Sequence, residues 1–143
     1  ERYIRAARAA GCPKDQVDFL LRAGIVLQEQ QLPIAAAARS CDHEGGPKQV
    51  CVGGNLGGGK SYALLALLVD DAIRFPGLSG LVLRKDKEAA RDVVGNLLPQ
   101  LLGGGGVKYK WAAGKLQFAN GSVLRIGHFQ TEHAFNYYLG QEY

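Results

Sequence analysis

The clearest motif in the chain is a glycine-rich loop that ends in a lysine and a serine: Gly54-Asn55-Leu56-Gly57-Gly58-Gly59-Lys60-Ser61. It matches the pattern G-x-x-x-x-G-K-[ST], in which glycines let successive backbone N–H groups turn toward phosphate oxygens. In this pattern Lys60 reaches the β- and γ-phosphates, and the Ser61 hydroxyl coordinates Mg²⁺. These eight residues predict a binding site for ATP and Mg²⁺, with Lys60 as the catalytic cation.

The residues around the loop favour this interpretation over a chance match. Residues 49–52 (Gln-Val-Cys-Val) predict a short strand that enters the loop. Residues 61–75 are rich in Leu and Ala, contain no Gly or Pro, and predict a helix that stops at Pro76-Gly77. The four glycines at 103–106 are followed by neither Lys-Ser nor a helix, so they predict only a turn.

Composition indicates a globular chain of one domain or part of one. Apolar residues make up 47% of the 143 residues and charged residues 21%. No apolar stretch approaches the roughly 18 residues that span a bilayer, because Asp70-Asp71 follows the run at 63–69. The three cysteines are widely spaced and predict reduced thiols, and Cys41-Asp42-His43 predicts a surface loop rather than a metal site. The segment from residue 74 to residue 125 contains nine Lys/Arg and three Asp/Glu, and this excess of positive charge is typical of a protein with a polyanionic partner.

The order of predicted elements gives an α/β fold class. Helices are expected at 1–10, at 14–31 and from Pro33 to residue 39, before the strand and loop. A second strand at 78–83 and a helix at 86–102 then predict parallel strands with right-handed crossovers. Short β-prone runs at 107–111, 116–119 and 122–126 follow, and Asn120-Gly121 is a strong hairpin signal. We expect a P-loop NTPase with a parallel sheet core, an inserted β-hairpin and an N-terminal helical segment, incomplete at the C-terminus.

Several segments together resemble one family, the large subunit of tailed-phage terminases, which are ATP-driven motors that package DNA. The loop with its flanks (residues 52–65) is similar to that family's phosphate loop, and the basic strand end Arg84-Lys85 is similar to its second strand. The most diagnostic segments are Phe118-Ala119-Asn120-Gly121-Ser122-Val123-Leu124-Arg125-Ile126-Gly127-His128 and Tyr138-Leu139-Gly140-Gln141-Glu142-Tyr143. The resemblance covers about 95 residues and keeps their order.

The resemblance implies more than the loop alone. It implies an ATPase acting on double-stranded DNA, in a homo-oligomeric packaging ring with a small terminase subunit and a portal, in the cytoplasm of a bacterial host. It implies an adenine contact from Gln31 or Gln28. It divides the chain into an N-terminal helical segment, 1–44, and a partial ATPase domain, 45–143. The Walker B aspartate, the catalytic glutamate and a nuclease domain are then expected after Tyr143, so this chain alone is expected to bind nucleotide weakly without turnover.

The sequence departs from the family at the loop, and alternatives stay open. Many terminases carry an arginine where this chain has Leu56, so any such arginine is expected from Arg84 or a neighbouring subunit. Cations on the hairpin are candidates for DNA phosphates, with an ordinary solvated surface as the alternative: Lys108, Lys110, Lys115 and Arg125. A helicase-like ATPase, or an assembly module that binds nucleotide without hydrolysis, also fits the loop.

Overall fold

The computed structural model describes residues 1–54, 59–103, 107–131, 133 and 136–138. By packing, the chain divides into two units, Glu1–Asp70 and Asp71–Tyr143. The sequence-predicted boundary between residues 44 and 45 stays a prediction. No helix within the described ranges is long and apolar enough to cross a bilayer.

The first unit is helical. Its elements are α1 (Arg2–Ala9), α2 (Lys14–Arg22), a 3-10 helix (Glu29–Gln31), α3 (Leu32–Ser40) and most of α4 (Lys60–Arg74), in which the division between the units falls. Its buried apolar side chains include Leu20, Ile25, Leu27, Leu32 and Val69. The predicted helices at 1–10, 33–39 and 61–75 are confirmed, with ends shifted by a residue or so.

The helix predicted over 14–31 is wrong beyond Arg22. Gly24 has a φ of +71°, a backbone conformation that is unfavourable for residues with a side chain. The backbone N–H of Ile25 donates to the carbonyl of Leu20 at 2.8 Å. This is a helix-ending turn in which a glycine directly follows the C-cap residue, Ala23. The chain leaves the helix there and places Ile25 and Leu27 in the core.

The strand predicted over 49–52 is also wrong. The residues are non-helical and unpaired with any strand in the described part of the chain, and Val50 and Cys51 are exposed. A β-prone run becomes a strand only when a neighbouring strand takes up its backbone N–H and C=O groups. Its short apolar sequence therefore gives no strand by itself.

The second unit carries a sheet and a continuous helical stretch. Its elements are β1 (Ser79–Arg84), α5 (Lys87–Asp92), a π-helical segment (Val93–Leu97), α6 (Leu98–Leu102), β2 (Tyr109–Ala112), β3 (Lys115–Phe118) and β4 (Val123–His128). Asp86 caps α5, because its carboxylate accepts from the backbone N–H of Ala89 at 2.7 Å. The predicted helix over 86–102 is confirmed as this succession of α and π turns.

The sheet is mixed, with strand order β1-β4-β3-β2. β1 and β4 are parallel, whereas β4 pairs antiparallel with β3 and β3 with β2. The α/β class is confirmed, but within the described residues one pair of strands has the expected parallel arrangement. The β2–β3 and β3–β4 connections are too short for a parallel crossover, so those pairs are antiparallel.

The Asn120-Gly121 turn joins β3 to β4, as predicted, and also binds the end of α4. Asn120 Nδ2 donates to the carbonyls of Ala72 at 2.9 Å and Ile73 at 3.1 Å. The buried Ser122 hydroxyl donates to the carbonyl of Phe75 at 2.9 Å and accepts from the N–H of Leu78 at 3.1 Å. Carbonyls that the helix end leaves without intrahelical partners are therefore satisfied by the hairpin turn.

Replacing Asn120 by alanine is expected to lower the free energy of unfolding by about 1–3 kcal/mol, since the substitution removes two hydrogen bonds to helix carbonyls. Urea denaturation followed by circular dichroism measures the change. Asn96→Ala is the matched control, because Asn96 is exposed and its side-chain amide donates to the exposed Asp92. An equal loss in the two variants would contradict the capping role of Asn120.

Candidate nucleotide-binding site

Helix α4 begins at Lys60, directly after the glycine-rich loop. The first helical hydrogen bond runs from the N–H of Ala63 to the carbonyl of Gly59 at 3.0 Å. Lys60 and Ser61 therefore occupy the first turn, where backbone N–H groups and the positive end of the helix dipole attract anions. Among the loop residues predicted to bind nucleotide, Asn55, Leu56, Gly57 and Gly58 lie outside the described residues.

The Lys60 side chain crosses from the helix to the beginning of the loop. Its Nζ donates to the carbonyl of Gly54 at 3.1 Å. This contact links the side chain at the end of the loop to the backbone at its beginning. Ser61, the next residue in the chain, is half-buried. The structure therefore places Gly54 near Lys60, with Gly59 and Ser61 on either side of Lys60 in the chain. Nucleotide binding by these residues stays a prediction.

Gln31 lies at the same site, although 28 residues separate it from Gly59 in the chain. The Gln31 side chain is buried, with 2% of its surface exposed. Its Nε2 donates to the carbonyl of Gly59 at 2.8 Å, and its Oε1 accepts from the N–H of Gln28 at 2.8 Å. Gln31 thus joins the 3-10 helix to the last residue of the loop, whereas Gln28 is exposed.

The Gly59 position disfavours a side chain. Its φ is +66°, in the left-handed region that glycine favours, and a Cβ there would overlap Gln31 Nε2. The sequence motif predicts this glycine for its closeness to phosphate. The structure adds that a Cβ at this position would displace the Gln31 amide from its present position. The adenine contact of Gln31 stays a prediction.

Two tyrosines of the same unit are partly buried. Burial raises the pKa of Tyr62, which directly follows Ser61, and burial raises the pKa of Tyr3 as well. Both phenols therefore stay neutral into the alkaline range. The helix turn that carries Lys60 gains no negative charge from Tyr62.

A buried ion pair joins α3 to α4, and sequence reasoning missed it. Arg39 is 3% exposed and Asp70 is fully buried, with Arg39 Nε 4.0 Å from Asp70 Oδ2. Arg39 Nη1 also contacts Asp42 Oδ2 at 3.1 Å. In the sequence, Asp70 is recognisable only as a charge that follows an apolar run. Nothing in the local sequence shows that Arg39, 31 positions away, lies close to it.

The remaining predicted residues lie on the second unit. Arg84 ends β1 and lies opposite His128 of β4. Lys108 and Lys110 are exposed, whereas Lys115 and Arg125 are half-buried and directly opposite each other across β3 and β4. Two cations at opposed positions repel each other, which favours an anion near them.

Within the described ranges, no group of three His, Cys, Asp or Glu side chains is placed to hold a metal ion. Asp42 and His43 are exposed in a turn, as the sequence predicted for the 41–43 loop. All three cysteines are free thiols, also as predicted. An ion at the loop would therefore depend on Ser61, phosphate oxygens and water, which is the usual environment of Mg²⁺.

Replacing Gln31 by alanine is expected to weaken MgATP binding about 2- to 12-fold, since the loop loses one hydrogen bond to Gly59. Isothermal titration of the chain with MgATP measures the change, and Gln30→Ala, an exposed neighbour, is the control. Titration with magnesium tripolyphosphate separates two roles. A positioning role lowers the affinity for both ligands, whereas an adenine contact lowers the affinity for ATP alone.

No protein-family model, curated protein or solved structure matches the chain.

Proposed function

We propose that this chain binds ATP and Mg²⁺ through residues 54–61 and belongs to a motor ATPase of the terminase large-subunit type, which drives double-stranded DNA. The observation that carries the proposal is the geometry at the loop: α4 begins at Lys60, whose ammonium group lies 3.1 Å from the carbonyl of Gly54. A triphosphate that enters this loop meets a cation and a helix N-terminus at once.

The residues present fit such a ligand. Lys60 supplies the charge that a terminal phosphate needs, and the N–H groups of the first turn of the 15-residue α4 add directional donors. Ser61 would hold Mg²⁺, which when bound neutralises charge on the phosphate oxygens. Gln31 fixes the carbonyl of Gly59, so the end of the loop stays in place when the ligand binds.

Charge supports the nucleic-acid part of the proposal. The segment from residue 93 to residue 131 contains no Asp or Glu, but it carries Lys108, Lys110, Lys115 and Arg125. Electrostatic binding to DNA phosphates depends on such an excess of cations, and it weakens at higher salt because the release of counterions from the DNA then becomes less favourable. By resemblance, we propose the partners of a packaging ring: further copies of this chain, a small terminase subunit and a portal, in the cytoplasm of a bacterial host.

Nucleotide selectivity tests the proposal. Isothermal titration of the chain with ATP, ADP and AMP, with and without Mg²⁺, is expected to give weak binding that strengthens with each added phosphate and requires Mg²⁺ for ATP. AMP binding as strong as ATP binding would contradict a phosphate-directed site. Appreciable hydrolysis of ATP by residues 1–143 would contradict the expectation that the catalytic carboxylates lie outside them.

A further inference from the structure

A groove on the second unit combines an aromatic ring with cations, and the proposed function does not use it. Its volume is about 380 Å³, and we call it the Trp111 groove. The lining includes Lys87 and Arg91 from α5, Val94 from the π-helical segment, Trp111 from β2, and Ile126 and His128 from β4.

The sheet register explains why these residues meet. Trp111 is opposite Leu116, and Leu116 is opposite Leu124. Because side chains alternate along a strand, Ile126 and His128 lie on the same face as Leu124. Helix α5 contacts β1 and β4. The groove therefore forms where α5 leaves part of this face uncovered near the edge strand β2.

The charge of the groove is positive. Lys87 and Arg91 are four residues apart on α5, so both extend from one side of that helix, and both are exposed. Neither cation is in an ion pair with another residue of the described ranges. The lining contains no carboxylate, since Glu88 and Asp92 of α5 lie outside it. An anionic occupant is complementary to this surface.

The aromatic ring narrows the choice of anion. Trp111 is 38% exposed, although burial of an indole ring is energetically favourable. It lines the groove together with Ile126 and Val94. A site for phosphate alone needs no apolar ring, and a paired base in a duplex is not free to cover one. A flat aromatic face beside two cations is the combination with which proteins hold single-stranded nucleic acid.

We propose that the Trp111 groove binds a single-stranded segment of nucleic acid, with a base stacked on Trp111 and adjoining phosphates on Lys87 and Arg91. This site goes beyond the proposed function. Binding at the groove needs no nucleotide at the Lys60 loop. Binding is non-covalent. His128 adds a polar group at the end of β4 that can hydrogen-bond the base or the backbone.

The single tryptophan of the chain gives a direct measurement. Titration of the protein with a twelve-residue oligothymidylate is expected to quench Trp111 fluorescence, because the base covers the indole. A hairpin duplex of equal charge is expected to leave the fluorescence unchanged. Binding of labelled oligothymidylate, followed by anisotropy, is expected to weaken about 5- to 150-fold in Trp111→Ala, with partial recovery in Trp111→Phe.

A charge-matched pair of variants distinguishes the groove from general attraction. Lys87→Ala with Arg91→Ala is expected to reduce the slope of log affinity against log salt by about 1.4, the value for two contacts to a single strand. Lys14→Ala with Arg22→Ala removes the same charge from α2 and is expected to leave binding nearly unchanged. Equal effects of the two pairs, or oligothymidylate binding without quenching, would overturn the proposal.

The test is separable from the nucleotide site. Trp111→Ala is expected to keep MgATP binding, and Lys60→Ala is expected to keep oligothymidylate binding and quenching. Quenching without any MgATP binding would leave the groove standing and refute the nucleotide site. MgATP binding without quenching would do the reverse, provided that circular dichroism shows each variant to be folded.

Discussion

Replacing Lys60 by alanine is expected to lower the affinity of the chain for MgATP by about 10- to 150-fold. A hydrogen bond to a charged group contributes about 1.5–3 kcal/mol, and the substitution removes the cation that meets the terminal phosphates. It also removes the contact with the carbonyl of Gly54, so the two ends of the loop lose their side-chain link. Isothermal titration, or the shift of the melting temperature by MgATP, measures the loss.

Lys48→Ala is the matched control for this prediction. Lys48 is exposed and precedes the loop by a few residues. Its replacement by alanine removes the same positive charge as Lys60→Ala does. The affinity of this variant for MgATP is expected to stay within about twofold of that of the unmodified chain, since salt screens an exposed charge. If Lys60→Ala bound MgATP as well as Lys48→Ala does, the assignment of the loop would be wrong.

Replacing Asp70 by alanine is expected to lower the free energy of unfolding by about 3–5 kcal/mol, a large part of the stability of a small domain. Asp70 is fully buried and Arg39 is 3% exposed, so the substitution leaves the guanidinium in the interior with fewer acceptors. Breaking a buried pair costs far more than the pair contributes, because the remaining charge has left water. Urea denaturation measures the loss.

Two further variants show whether the cost comes from the unpaired charge. Asp18→Ala breaks the exposed pair with Lys14, which has a shorter separation of 2.6 Å, and is expected to cost only about 0.3–0.5 kcal/mol. The double substitution of Asp70→Leu with Arg39→Met removes both buried charges and is expected to recover most of the stability. A cost of Asp70→Ala below that of Asp18→Ala would contradict the buried pair.

The parts of the fold that depend on local sequence were predictable. The run without Gly or Pro after Ser61 gave α4, and Asn120-Gly121 gave the β3–β4 turn, because both signals act within a few residues. Residues 49–52 failed because a strand requires a partner that its own sequence does not contain. The helix predicted over 14–31 failed at Gly24, because the positive φ at that glycine ends the helix.

The candidate site was predictable to the same degree. The loop and the first turn of α4 are contiguous in sequence, so the motif located Lys60 and Ser61. Gln31 was proposed from resemblance, but its bond to Gly59 connects residues that no periodicity relates. Arg39 approaches Asp70, and Trp111 and Arg91 come to line one groove, only through packing and sheet register. A short sequence motif cannot predict contacts between residues that are far apart in the chain.

The shared carbonyl of Gly59 also has a consequence for sequence variation. The oxygen accepts from both Ala63 N–H and Gln31 Nε2, and a Cβ at position 59 would take the space of that amide. Position 59 is therefore constrained twice, by its φ of +66° and by the Gln31 amide. In related chains that keep a glutamine at 31, we expect glycine at 59, although the two positions belong to different elements.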